Sequence, residues 1–157
     1  MTMEAKSGKA TRDVAIRRVV AADAPAIVAL DTATTGQSKP DYWQDMIAEF
    51  SGAKARRRAF LVAELGGRVV GFITGEIRAF EFGAEPRGCV FAVAVDPEVR
   101  VNNVGTRLFD EICQIFQGEG VEKVSTLIER DSDLVLAFFR SQGMIFGRYI
   151  QMEKEIG

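Results

Sequence analysis

The chain of 157 residues contains no histidine. Hydrolases that activate a serine or cysteine with an imidazole base are therefore excluded, because that ring must accept the proton of the nucleophile. Metal sites with histidine ligands are excluded as well, because the chain has no imidazole nitrogen to bind a metal ion. The sequence thus predicts an activity that uses neither a bound metal nor a nucleophile activated by histidine.

Cysteine and long apolar runs are also scarce. The two cysteines, Cys89 in a strand-like run and Cys113 in a helix-like run, are isolated. Such residues are usually reduced and pack as small apolar side chains, so we expect no disulfide. No apolar run approaches the length that a bilayer requires and no leader is apparent, so we expect a cytoplasmic protein without a membrane partner.

An excess of basic charge is missing as well, since 20 Lys and Arg residues oppose 22 Asp and Glu residues. Nucleic-acid binding requires a basic face that neutralises phosphates, so we expect no nucleic-acid partner. The length is sufficient to bury one hydrophobic core. We predict a single domain over residues 13–157, preceded by a polar, aperiodic and disordered segment, residues 1–12.

The most informative stretch covers residues 93–109. Residues 93–95 end an apolar run typical of a buried strand, Asp96 and Pro97 stop it, and apolar residues at helical spacing follow from Val104. A loop between such a strand and helix presents backbone N–H groups at the positive end of a helix dipole. This arrangement predicts a site for a phosphate or pyrophosphate.

The spacing Arg100-x-x-Asn103-x-Gly105 resembles the acetyl-coenzyme-A loop of the GCN5-related N-acetyltransferases, the GNAT superfamily. That family has Arg or Gln, then Gly, then Gly or Ala at these positions, so Asn103 replaces a glycine. Asparagine accepts the left-handed backbone conformation that glycine adopts. The resemblance implies that acetyl-CoA is the cosubstrate and that its contacts include Val93, Ala94, Val95, Arg100, Val101, Asn102, Asn103, Val104, Gly105 and Thr106.

A second resemblance lies near the C-terminus. GNAT proteins often carry Asn-x-x-Ala-x-x-Phe-Tyr-x-x-x-Gly-Phe on the last helix, and of these positions Phe138 and Gly143 are identical here. The resemblance adds Ser132, Phe138 and Phe139 to the residues expected at the cofactor. Phe139 stands where many members have a tyrosine that serves as general acid, and a phenyl ring has no proton to donate.

The remaining pattern predicts the other elements of the same fold. In chain order these are a strand at 14–20, a helix at 22–31, a loop at 32–39, a helix from Pro40 to Phe50, a hairpin of 59–65 and 68–77, a strand at 89–95, a strand at 121–128, a helix between Ser132 and Ser141, and a closing strand at 144–154. Together with the resemblance, this order predicts an α/β GNAT fold. Its mixed, mostly antiparallel sheet has six to seven strands flanked by about four helices.

Acetyl transfer to an amine requires a base, donors for the developing oxyanion and a proton for the leaving thiolate. Glu76 is the preferred candidate base, because a strand that reaches the acceptor cleft would place its carboxylate beside the thioester. The alternative is a surface carboxylate paired with Arg78 or another neighbour. Tyr149 on the closing strand is the candidate acid, with packing as its alternative role. Further candidates by residue type are Glu81, Glu85, Glu129 and Ser132.

The sequence therefore predicts an N-acetyltransferase that moves acetyl from acetyl-CoA to a primary amine by direct attack in a ternary complex. The acceptor is a protein N-terminus, a lysine or a small amine. One alternative is a non-catalytic acyl-CoA-binding or regulatory GNAT domain, and another is a generic α/β phosphate-binding domain. The oligomeric state is open, with a homodimer among the alternatives.

Overall fold

The computed structural model describes residues 14–51, 57–79 and 81–157, and at residues 81 and 100–102 it describes the backbone alone. The segment predicted to be disordered, residues 1–12, lies outside these ranges. The described residues fall into two compact units, of which the first ends at Thr126 and the second is Leu127–Gly157. None of the helices in these ranges combines the length and apolarity that a bilayer crossing requires.

The first unit is one sheet with helices on its faces. Its elements are β1 (Ala15–Arg18), α1 (Ala24–Thr35), α2 (Pro40–Phe50), β2 (Arg58–Leu65), β3 (Arg68–Arg78), β4 (Arg87–Val95), α3 (Val104–Gly118) and β5 (Val124–Thr126). The strand order is β1-β2-β3-β4-β5, and every neighbouring pair is antiparallel except the parallel pair of β4 and β5. The α/β class is confirmed, but the described residues form five strands, so the prediction of six to seven was wrong.

The hairpin of β2 and β3 lies at the centre of this sheet. Gly66 and Gly67 connect the strands with φ angles of 58° and 77°. A two-residue turn with both φ angles positive matches the right-handed twist of the flanking strands. The hairpin predicted from this glycine pair is confirmed.

The α1 and α2 helices cover one face of the sheet over an aromatic cluster. Trp43 is 2% exposed, and its ring centroid lies 5.9 Å from that of Phe60 and 5.1 Å from that of Phe72, in edge-to-face geometry. Its indole Nε1 donates a 2.9 Å hydrogen bond to Oδ2 of Asp31, which also pairs with Lys39 at 3.1 Å. The buried indole is thereby satisfied, as a buried tryptophan N–H must be.

The other face of the sheet packs against α3. Val104, Leu108, Ile112 and Phe116 recur at helical spacing and are at most 2% exposed, which confirms the predicted apolar face. At Gly88 an added Cβ would lie 2.2 Å from the Phe116 ring. Only a residue without a side chain therefore lets this phenyl ring rest on β4.

The α1 helix is longer than predicted. The segment 32–39 was expected to be a loop because it is rich in Thr, Ser and Gly, but α1 continues to Thr35. The hydroxyls of Thr32, Thr34 and Thr35 each donate to the carbonyl four residues earlier, at 2.6, 3.1 and 2.9 Å. These bonds give the threonine hydroxyls acceptors within α1 itself. The helix ends at Gly36, which has a φ of 74°.

The fifth strand is shorter than the predicted 121–128. Val124, Ser125 and Thr126 pair with residues 88–90 of β4, and no later residue of the chain joins the described ladder.

Cys89 on β4 and Cys113 on α3 are half-buried free thiols. Burial, with the nearby charge of Asp110, raises the pKa of the Cys113 thiol to about 11.

The second unit contains one helix, α4 (Asp133–Ser141), and an extended segment after it. The helix predicted between Ser132 and Ser141 is present, and Ser132 occupies its N-cap position without a side-chain capping hydrogen bond. The apolar residues of α4 are buried to different degrees. Leu134 is 75% exposed, whereas Phe139 is 3% exposed and contacts Phe138 edge to face at 5.1 Å.

The closing strand predicted at 144–154 is wrong. The described backbone after α4 joins no ladder, and a strand is defined by hydrogen bonds to a neighbour rather than by its own sequence. The large apolar side chains in this segment are exposed, among them Ile145 at 89%, Phe146 at 77%, Ile150 at 88% and Met152 at 88%. The apolar and aromatic residues of this segment do not by themselves supply a pairing partner.

An ion pair connects β1 to the turn before α1. The Arg17 guanidinium bonds both carboxylate oxygens of Asp23 at 2.8 Å and reaches Glu64 on β2 at 3.3 Å. Asp23 also accepts a 2.8 Å bond from the Val20 N–H. The hydrogen bonds from Arg17 lower the pKa of the Asp23 carboxyl, despite its burial.

We expect Asp23→Asn to lower the free energy of unfolding at neutral pH. A carboxyl with a depressed folded-state pKa stabilises the fold above its unfolded-state pKa of about 3.9 and loses that contribution as the pH falls through the folded value. The difference between wild type and variant should therefore shrink below about pH 4. Urea unfolding across a pH series measures it, with Asp45→Asn on the exposed side of α2 as control. A difference that is independent of pH would contradict the assignment.

Candidate functional site

The edge of β4 is open beyond its pairing with β5. Residues 88–90 of β4 pair with β5, whereas residues 92–95 pair with β3 alone among the described strands. Alternate backbone N–H and C=O groups of residues 91–95 therefore point away from β3 without a strand partner, and such groups need another acceptor or donor. Val93, Ala94 and Val95, three of the predicted contact residues, line this opening.

A β-bulge marks the point where the opening begins. Gly75 lies opposite Val90 and Thr74 lies opposite Ala92, so Phe91 has no partner on β3. A bulge bends its strand and redirects the backbone groups next to it. At Gly75 an added Cβ would lie 2.5 Å from the Cys89 carbonyl oxygen, so only glycine allows the two strands to approach this closely.

Asp96 fixes the loop that follows β4. Its N–H donates to the Val70 carbonyl at 2.8 Å, and its Oδ1 accepts a 3.0 Å bond from the Glu98 N–H. Arg68 lies 3.4 Å from the other carboxylate oxygen. The chain then forms the 3₁₀ turn Pro97–Asn102. The side chains of Arg100, Val101 and Asn102 lie outside the part of the chain that the structure describes.

The α3 helix begins without a side-chain cap. Asn103 occupies the N-cap position with φ of 55° and ψ of 32°, the left-handed conformation expected of it, and its side chain makes no capping bond. Val104 and Gly105 lie in the first turn, where backbone N–H groups have no intrahelical acceptor, and the Arg107 N–H donates to the Asn103 carbonyl at 3.0 Å. The first turn has no acidic residue. This helix start is therefore suited to an anion.

Gly71 brings the start of α3 close to the opening. An added Cβ at Gly71 would lie 3.1 Å from the Ala94 carbonyl oxygen, 3.1 Å from Val104 and 3.2 Å from Leu108. The helix N-terminus and the open edge of β4 are thereby held against the same strand, β3.

Glu76 lies beyond the bulge, on the sheet face that α2 covers. It is the cross-strand partner of Cys89, and its side chain is 27% exposed. Its Oε2 lies 3.8 Å from Nε of Arg58. Glu76 therefore makes an ion pair with a neighbouring arginine, as the alternative role required. The partner is Arg58, whereas the partner named from the sequence was Arg78.

Sequence reasoning assigned Cys89 only a packing role. Its Sγ lies 3.5 Å from Oγ of Ser125, so the thiol bridges β4 and β5 one residue before their pairing ends. Its position beside Glu76 depends on the register of β3 against β4. No local pattern in the sequence specifies that register.

The remaining candidates belong to the second unit or are exposed. Tyr149, which is 51% exposed, accepts a 3.0 Å hydrogen bond from Arg148 and lies in the segment that forms no strand. It belongs to the second unit with Ser132, Phe138 and Phe139, whose roles stay predictions. Glu85 and Glu129 are exposed. In the described ranges, no three His, Cys, Asp or Glu side chains form a group that could hold a metal ion.

The geometry defines an α/β protein in which the open edge of β4 lies beside the start of α3. Residues 24–144 match the model of the acetyltransferase (GNAT) family, which is well over half of the chain. The chain therefore belongs to the GNAT acetyltransferase family, and the resemblance noted in the sequence is confirmed.

Solved structures show the same fold. Aminoglycoside N-acetyltransferase AAC(6')-Iy in complex with CoA is 15% identical, with a TM-score of 0.78 over 91% of this chain and 95% of that chain. Glucosamine-6-phosphate N-acetyltransferase from Arabidopsis thaliana is 18% identical, with a TM-score of 0.71 over 92% and 99%. A transcriptional regulator from Bacillus halodurans C-125 is 15% identical, with a TM-score of 0.75 over 92% and 100%. At these identities the likeness shows the fold alone.

We expect Asn103→Ala to lower the free energy of unfolding by about 1 kcal/mol, because alanine is strained in the left-handed conformation. Asn103→Gly should change stability by less than about 0.5 kcal/mol, since glycine adopts this conformation freely. Chemical denaturation of the two variants in parallel measures the difference. Equal stability of the alanine and glycine variants would contradict the left-handed start of α3.

Proposed function

We propose that the chain is an N-acetyltransferase that transfers acetyl from acetyl-CoA to a primary amine by direct attack in a ternary complex. The observation that carries the proposal is the opening of the sheet at the Phe91 bulge, next to the uncapped start of α3. An acyl donor fits this arrangement if it has a pyrophosphate for the start of α3 and an amide-containing arm, ending in a thioester, for the open edge of β4. Membership of the GNAT family supports the same donor.

The donor would be held mainly by backbone groups. In this proposal the N–H groups of residues 104–106 and of the preceding loop, residues 100–103, bind the pyrophosphate. The open edge of residues 93–95 pairs with the amides of the pantetheine arm, much as a strand would. Ser132, Phe138 and Phe139 remain proposed donor contacts on the basis of the family motif.

The reaction would proceed by attack of a neutral amine on the thioester carbonyl carbon. The C–N bond forms, the C–S bond breaks, and backbone N–H groups near the bulge stabilise the oxyanion. Glu76 is the proposed base that receives the amine proton, and Arg58 orients its carboxylate. The CoA thiolate takes a proton from water or from Tyr149; a thiol pKa near 8.5 makes it a tolerable leaving group.

The acceptor we propose is a primary amine on a small molecule. Proteins of this fold include an aminoglycoside N-acetyltransferase and a glucosamine-6-phosphate N-acetyltransferase, both named for amines on sugar rings. A protein N-terminus and a lysine remain alternatives. The single domain over residues 13–157, the cytoplasmic location and the homodimer also stay predictions, although the family match crosses from the first unit into the second.

A second candidate function is that of an acyl-CoA-binding domain without turnover. Phe91 and Phe139 carry hydrocarbon side chains where GNAT enzymes often have proton-transfer groups, and Phe139 is buried. The donor site as proposed uses main-chain groups, so it does not depend on those side chains. Binding without catalysis is therefore consistent with the same geometry.

We expect acetyl-CoA to bind and to release free CoA when a suitable amine is present. Titration calorimetry with acetyl-CoA, with ATP as the control nucleotide, tests the donor site. A thiol-release assay across small amines, amino sugars and peptides then tests turnover. Failure of acetyl-CoA to bind would refute both functions, whereas binding without thiol release across the panel would favour the non-catalytic domain.

We expect Glu76→Gln to lower kcat by about 100-fold or more at neutral pH, the usual effect of removing a general base. The affinity for acetyl-CoA should be unchanged, because the carboxylate is not part of the proposed donor contacts. Glu49→Gln is the matched control, since Glu49 also lies within 4.0 Å of Arg58 but is 65% exposed on α2. An unaltered kcat in the Glu76 variant would remove this residue as the base.

A further inference from the structure

A cavity of about 460 Å³ lies at the opposite side of the sheet from the donor opening. It is bounded by the end of β1, the turn Ala21–Asp23, α2 and Phe60 on β2. The donor opening lies at β4 and β5, three strands away from β1 in the sheet order. The cavity is therefore separate from the site described above, and the proposed reaction does not use it.

The inner wall of the cavity is apolar. Val19, Ile47, Phe50 and Phe60 line it, and each is at most 6% exposed. Its volume lies within the range of about 300–1,000 Å³ that is usual for small-molecule sites. A hydrocarbon group of modest size can fill such a space and gain the free energy of leaving water.

One cation lies at the rim. Arg18 lines the cavity, and its guanidinium makes a single 3.4 Å hydrogen bond, to the Arg58 carbonyl. Among the described residues it forms no ion pair, whereas its neighbour Arg17 pairs with both Asp23 and Glu64. The remaining donors of Arg18 can therefore take an anion, and a guanidinium fits a carboxylate in bidentate geometry.

We propose that this cavity binds a small organic carboxylate with an aliphatic tail. The tail packs against the apolar wall, and the carboxylate pairs with Arg18 at the rim. An apolar cavity with Arg18 as the cation among its described lining residues selects against alkylammonium ions and against compact anions without a tail. The site would coexist with a bound acyl donor, because the two sites share no residue.

Straight-chain carboxylates from butanoate to decanoate test the proposal on the full chain. Trp43 is the only tryptophan, and its ring contacts Phe60 of the cavity wall, so its fluorescence reports occupancy. We expect Kd to fall by up to about fourfold for each added methylene until the cavity is full. Octanoate should bind at least about tenfold more tightly than octanamide, because a hydrogen bond to a charged group is stronger than one to a neutral group. Octylammonium should not bind.

Variants separate the wall from the rim. Ala48 is an exposed α2 residue that lines the cavity, so Ala48→Phe should fill the mouth and abolish octanoate binding while leaving acetyl-CoA affinity unchanged. Arg18→Gln should remove the preference for octanoate over octanamide. Arg57→Gln, at an exposed arginine outside the cavity, should retain that preference.

Three results would overturn the proposal: no binding by any carboxylate of the series, equal binding of octanoate and octanamide to the unaltered chain, or full octanoate affinity in a folded Ala48→Phe variant. The first two use the unaltered chain, so the proposal stays falsifiable if a variant does not fold. Retained acetyl-CoA binding in the same samples distinguishes a failure of this cavity from a failure of the proposed enzymatic function.

Discussion

The loss of hydrogen bonding between β4 and β5 after Val90 is the constraint on which the candidate site depends. Two parallel strands that stayed paired would satisfy each other's backbone groups and leave no polar edge inside the sheet. Here the ladder stops at three residue pairs, at the position where Phe91 is bulged out of register with β3. The unpaired edge that results is a cost to the fold, and it is the surface on which the proposed binding of an amide-containing donor depends.

Small residues hold the rest of the donor site against that edge. Gly71 admits α3 to within van der Waals contact of β3 and β4, and Gly88 admits the Phe116 ring farther along the same helix. On the opposite face, Trp43 and its phenylalanine neighbours make a dense aromatic layer that keeps α1 and α2 on the sheet. The open edge of β4 is therefore supported by packed residues on both faces of the sheet.

Local signals predicted much of this fold. The Gly66-Gly67 turn, the apolar face of α3 and the boundaries of α2 depend on residues a few positions apart, and all were predicted correctly. The wrong predictions needed information that is not local: residues 144–154 have a strand-like pattern but no partner, and the threonines of α1 bond back to their own helix. The ion pair of Glu76 with Arg58 and its position opposite Cys89 depend on strand register. Register is set by bulges, and the sequence does not specify which residue of β4 is left without a partner.

The difference between main-chain and side-chain contacts explains why the proposed donor site is easier to infer than the acceptor site. Contacts made by main-chain groups survive replacement of side chains, so a GNAT family member can carry Asn103 at a glycine position and Phe91 at the bulge and keep the same surface. Recognition of an acceptor amine depends on particular side chains at fixed positions, and these diverge among proteins that are 15–18% identical. Family membership, which the match over residues 24–144 shows, therefore supports the proposed acyl donor, whereas a fold shared at such identities supports no particular acceptor.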